Sequence, residues 1–233
     1  MKTVKILSCF LIFLIFAFIF NTKNCYANEE AKRIEKSIEF LKLIMNGKNG
    51  AAPRQLLSHA RAVLIIPGVK KIGFIAAVKR GKGVIIARDK NNRWLAPSFV
   101  TITGGSIGFQ AGASSSDILI LIMTDKALKK FTGNKLKLGA DIGIVAGPLG
   151  GNLNISQETF KKIDAFSYVK EKGLFAGASI SGSVISHDNN ANQKFYGTKI
   201  TFKEILNHKK IKLPYEAEKL ISVLNKYSNF NNN

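Results

Sequence analysis

Only two cysteines occur in the 233 residues, Cys9 and Cys25, and both fall within the first 27 positions. From residue 28 onward this excludes a disulfide framework, a thiol nucleophile and a thiolate metal site. Histidine is almost as scarce, and His59, His187 and His208 stand in no metal-ligand spacing such as H-E-x-x-H. His187-Asp188, adjacent in a polar stretch, reads as turn chemistry rather than a catalytic dyad. No G-x-S-x-G elbow occurs. Gly81-Lys82-Gly83 lacks the Ser/Thr and the spacing of a phosphate-binding loop, and glycines at 104, 105, 108 and 112 do not fit G-x-G-x-x-G. No catalytic residue, metal or cofactor is expected, and the chain reads as a non-enzyme.

Acidic residues are few as well. Fifteen Asp and Glu stand against 35 Lys and Arg, a formal net charge of +20. A field of that sign attracts polyanions: phospholipid head groups, nucleic acid or acidic polysaccharide. Single-strand nucleic-acid binders interleave basic residues with exposed aromatics. Here most of the 16 phenylalanines lie in the N-terminal apolar run or in apolar strand-like runs. Nucleic acid is therefore disfavoured as a partner.

One long apolar run is present. Ile6 to Phe20 is interrupted only by Ser8, follows Lys2 and Lys5, and precedes Cys25-Tyr26-Ala27. It is shorter than the roughly 20 residues of a spanning helix. Residues 1–27 read as a secretory signal peptide, with an uncleaved signal anchor as the alternative. Removing Lys2, Lys5 and Lys23 lowers the charge from +20 to +17, so the basic character belongs to the remaining chain. The expectation is an exported protein, periplasmic or extracellular, with one domain over residues 28–228 and a polar tail over 229–233.

Within that domain, residues 28–47 predict an amphipathic helix. Ala31, Ile34, Ile38, Leu41 and Met45 form an apolar stripe, with Lys32, Arg33, Lys36 and Lys42 largely off it. Two destinations remain open for the stripe: a lipid interface, where the cations would form a collar, or the protein's own core. Ala62 to Ile66, ended by Pro67-Gly68, predicts a buried strand and a turn. Ile72 to Val78 and Gly83 to Arg88 read as strands flanking Lys79-Arg80-Gly81-Lys82, a basic hairpin tip. Further strands are expected at Trp94 to Thr103, Ser106 to Ala113 and Asp117 to Met123. A short helix is expected at Lys126 to Phe131 and helical segments near the C-terminus. The fold class expected is α+β, a curved, mainly antiparallel, glycine-rich sheet or small barrel framed by helices.

Several segments, in order and spacing, resemble the SYLF family, known from endocytic actin-patch proteins of yeast and animals and from bacterial secreted proteins. They are Ala62 to Pro67, Lys71 to Phe74, Gly81 to Val84, Trp94 to Phe99 and Gly104 to Gly112. Leu138 to Asp141 with Ala146 to Pro148, Phe166 to Tyr168 with Lys172 to Gly177, and Asn192 with Phe195 to Gly197 complete the set. The similarity spans roughly residues 30 to 210. Ala76-Ala77 stands where members commonly have a glycine pair, and Ser181 precedes Gly182 where many have Glu. The resemblance implies phospholipid binding, aided in eukaryotic members by a basic amphipathic N-terminal helix, and in some members actin binding. No SH3 or FYVE module is found in these residues, so the adaptor role of eukaryotic members is not expected to transfer.

The candidate lipid-binding residues are Lys32, Arg33, Lys36, Lys42, Lys79, Arg80 and Lys82. The partner they point to is an anionic phospholipid or membrane surface. The alternative is an envelope structural or interaction module whose basic faces meet an acidic protein or glycan.

Overall fold

The computed structural model describes residues 29–73, 76–107, 112–149, 162–176, 180–207 and 211–229. The leader read over residues 1–27, His208 and the Lys209-Lys210 pair lie outside these residues, as does most of the polar tail.

Two helices open the described chain, α1 over residues 29–46 and α2 over Ala51–His59. Four long strands follow: β1 (Ala62–Gly73), β2 (Ala76–Ala87), β3 (Ser98–Ile107) and β4 (Gly112–Ile122). Then come α3 (Asp125–Lys130), β5 (Lys135–Lys137), β6 (Ile144–Ala146), β7 (Ala165–Glu171), β8 (Leu174–Ala176) and β9 (Ser183–His187). The chain closes with α4 (Asn189–Tyr196), α5 (Phe202–Leu206) and α6 (Tyr215–Ser228). The strands form one curled sheet in the order β5-β9-β3-β2-β1-β4-β7-β6, with β8 on β7. Among the pairings between these strands only β6–β7 is parallel. The fold class is α+β, as expected.

Apolar packing covers both faces of the sheet. On one face Val63, Ile65, Val84, Ile86, Phe99, Leu119 and Leu121 pack with α1, α2 and α6. On the other, Leu64, Ile66, Ile85, Ile102 and Ile120 pack with Leu128, Phe131, Leu136 and Phe202. This is why Ala62 to Ile66 and Ile118 to Ile122 are apolar at every position, where a half-solvated strand would alternate. The β1–β2 hairpin outruns this double cover. A 12-residue strand is about 40 Å long, roughly twice the usual strand.

Three expectations are corrected. Lys79-Arg80-Gly81-Lys82 is no hairpin tip; the four residues lie inside β2, paired to Lys71, Lys70 or β3. Past the core the hairpin is only partly covered, with Lys70, Lys71, Arg80 and Lys82 exposed, so polarity there does not signal a turn. Second, the stripe of α1 does not face outward: Ile34, Ile38, Leu41 and Met45 are all buried in the core. With them buried, the expectation that this helix lies in a lipid interface on its apolar stripe is overturned. Third, β3 begins at Ser98 rather than Trp94, and Gly104-Gly105 sits within it, because β2 pairs with both residues and β9 pairs with Gly104.

Candidate functional site: a cationic cleft

A β-bulge decides which side chains reach the site. Between Ile65 and Lys70 the pairing with β2 slips by one residue, at Pro67-Gly68. Gly68 takes φ +64°, and its N–H donates to Asp117 Oδ1 at 2.8 Å. The extra residue reverses the alternation of β1. Before the bulge Val63 and Ile65 face α1; after it, Lys70 and Ile72 do, beside their partners Arg80 and Val78. On β2, Gly83 permits the close approach of the bulged strand: a Cβ there would stand 2.2 Å from the Ile65 carbonyl oxygen.

The first turns of α1 lie over this half of the hairpin and enclose a cleft of about 690 Å³. Six cationic side chains line it: Lys32, Arg33 and Lys36 from the helix, Lys70, Arg80 and Lys82 from the strands. Glu29 is the sole carboxylate in the lining, and Pro67, Gly68, Ile72, Val78 and Gly81 supply the rest. Lys32 and Lys36 are one helical turn apart and therefore neighbours on the helix surface. Among the described residues, Lys32, Lys36, Lys70, Arg80 and Lys82 take part in no ion pair. Five unpaired cations gathered beside one carboxylate form a preset anion-attracting surface.

Arg33 differs from the rest. Only 7% exposed, its guanidinium donates to Asp188 Oδ2 at 3.1 Å and lies 5.0 Å above the Phe99 ring. Asp188 also caps α4, accepting from the Ala191 N–H through its other oxygen. Arg33 thus joins α1 to β3 and α4, and its charge is already answered.

Of the seven candidate residues, the structure brings Lys32, Arg33, Lys36, Arg80 and Lys82 together. Lys42, ten residues beyond Lys32 and about 15 Å along the helix, is exposed away from the cleft lining. Lys79 is on the opposite face of β2, directly across from Lys71. Burial, and then the like charge of Lys71, hold its ammonium below the usual lysine range. Lys70, Ile72 and Val78 were not among the candidates. Reading Pro67-Gly68 as a bulge instead of a turn would have placed them on this face.

Among the described residues no group of three His, Cys, Asp or Glu could hold a metal ion, and no helix is long and apolar enough to cross a membrane. What the fold and cleft define is an α+β domain whose curled sheet and first helix gather cations at one place. Comparison with known proteins then gives its family. The family model described as Ysc84, "Las17-binding protein actin regulator", matches residues 103–227. The human SH3 domain-containing YSC84-like protein 1 is 33% identical over 202 residues, 85% of this chain and 58% of that protein. Saccharomyces cerevisiae protein YSC84 is 35% identical over 181 residues, 76% of this chain and 38% of the relative. LAS seventeen-binding protein 3 of the same yeast is 35% identical over the same length, with 39% of it covered. The chain belongs to the Ysc84, or SYLF, family. It spans between 38% and 58% of the length of these three relatives.

Proposed function

We propose that this chain is an exported, non-catalytic, peripheral phospholipid-binding protein that docks on anionic membranes through the cleft between α1 and the β1–β2 hairpin. The observation that carries the reading is the convergence of Lys32, Lys36, Lys70, Arg80 and Lys82 on one opening with a single carboxylate, Glu29. Each cation near an anionic surface contributes about 1 kcal/mol, so five give about 5 kcal/mol and a dissociation constant on the order of 0.2 mM. In this reading α1 serves as a rigid wall carrying Lys32 and Lys36, its apolar side occupied by the core.

Co-sedimentation with vesicles tests the mechanism. Phosphatidylcholine vesicles containing phosphatidylglycerol should retain the protein, and pure phosphatidylcholine should not. The variant Lys32→Glu/Lys36→Glu/Arg80→Glu/Lys82→Glu should lose retention while keeping its denaturant midpoint. Equal retention of variant and wild type would refute the cleft as the docking site. Export predicts an intact mass lacking residues 1–27 in the protein recovered outside the cytoplasm.

The names of the relatives favour a second reading. The family description and one yeast relative are named for binding Las17, and the same cationic cleft would receive an acidic segment of an envelope protein, or an acidic glycan. That reading predicts a protein or glycan retained by the immobilised chain after lipid extraction, and loss of every partner on extraction counts against it.

A further inference from the structure

The exposed aliphatic side chains of the hairpin are not explained by electrostatic docking. Ile72 is 62% exposed and Val78 67% exposed, and they are direct cross-strand partners at the far end of β1–β2. Nearer the body of the same strands, Ile65, Ile66, Val84 and Ile85 are fully buried. An isolated exposed aliphatic residue needs no explanation, but these two are cross-strand partners at the end of the longest strands, so their side chains stand side by side.

The charges around the pair are arranged in a band. One step toward the body, Lys70 pairs with Arg80 on the same face as Ile72 and Val78, while Lys71 pairs with Lys79 between them on the other face. Each of these is a cation directly opposite a cation, an arrangement that disfavours the isolated sheet. The sequence between the band's two halves, Ile72 to Val78, contains no charged residue. The parts of β3 and β4 at this end, Gly104 to Ile107 and Gly112 to Ser116, contain none either. A surface built to meet a protein face-on needs its cations on that face alone. A hairpin end with cations on both faces, and the exposed Ile72 and Val78 next beyond them, matches a bilayer entered end-on: phosphates encircle the band and acyl chains meet the two aliphatic side chains past it.

We infer that the far end of the β1–β2 hairpin is the part of this protein that enters the membrane, with Ile72 and Val78 below the phosphate plane of an anionic bilayer and Lys70, Lys71, Lys79 and Arg80 at it. The inference rests on the membrane-docking reading and adds to it the inserting element, a strand hairpin in place of an amphipathic helix. Burying two aliphatic side chains strengthens binding by about 100-fold or more over charge alone.

Two measurements test it, both on the full chain with phosphatidylcholine vesicles containing phosphatidylglycerol. The variant Ile72→Ser/Val78→Ser keeps every cation and should bind about 100-fold more weakly than wild type. In Val78→Trp, lipids brominated near the top of the acyl chain should quench the new indole. The wild type, whose one tryptophan is the buried Trp94, should not be quenched. If the wild type sediments with these vesicles but Trp at position 78 is unquenched and the serine variant binds as wild type, insertion is overturned and surface docking stands. If the wild type does not sediment with them, the docking reading fails and insertion fails with it.

Discussion

Residues of one chemical type have different tasks here, and the differences are measurable. Arg33 and Lys36 sit one turn apart on α1, yet Arg33 is buried against Asp188 and Phe99 while Lys36 is exposed at the cleft. Removing one partner of a buried pair leaves the other charge stranded, at a cost of about 3 kcal/mol. Arg33→Ala should therefore lower the urea midpoint sharply, whereas Lys36→Ala should change stability by no more than about 0.5 kcal/mol. Equal effects would show that the Arg33–Asp188 contact does not join the helix to the sheet. Two glycines separate in the same way. At Gly68 the φ of +64° is the obstacle and nothing lies within 4 Å of an added Cβ, so Gly68→Ala should cost about 1 kcal/mol. At Gly83 the added carbon would meet backbone, and Gly83→Ala should cost more, about 2–3 kcal/mol. Urea unfolding of both variants measures the order, and a larger loss at Gly68 would contradict it.

At the scale of elements, sequence periodicity identified which residues share a face but not what covers that face. The stripe of α1 was legible residue by residue, and so was its companion set of lysines. Whether Ile34 to Met45 met lipid or protein was not, because a helix stripe looks the same against either. The basic run in β2 misled for a related reason. Charge density marks a turn only where strands are covered, and this hairpin continues past its cover. Pro67-Gly68 hid the largest consequence, since one extra residue reverses every later side chain of β1. The paired lysines of the hairpin give a further test. Because Lys79 titrates below its unfolded value of about 10.5, the unfolded chain binds more protons between the two values. Stability should accordingly rise with pH across that window. Lys71→Gln removes the like charge, which should flatten that rise and add about 0.5 kcal/mol below it. The same variant should weaken vesicle binding. If pH-dependent unfolding is unchanged by the substitution, Lys71 and Lys79 do not interact as their pairing implies.

Across the whole molecule, the sheet's two covered faces supply stability, and in the proposed docking its uncovered end supplies the interaction surface. The fold class was readable because doubly buried strands, glycine-rich turns and flanking helices each leave a compositional mark. The family was readable from the order of short segments that are individually commonplace. The cleft was readable only in part: its cations come from stretches about 35 to 50 positions apart, and only the bulge and the helix placement bring them to one opening. A partner recognised by such a surface is held chiefly by charge, and charge at an exposed surface is screened over a Debye length of about 10 Å at 0.1 M salt.

The most direct test is the dissociation constant for phosphatidylglycerol-containing vesicles measured across a salt series, for the wild type and for Lys36→Glu/Arg80→Glu. Wild-type affinity should fall steeply as salt rises, and the variant should be both weaker and less sensitive to salt. Wild-type binding that ignores salt, or that is matched on vesicles of phosphatidylcholine alone, would contradict docking through the cationic cleft.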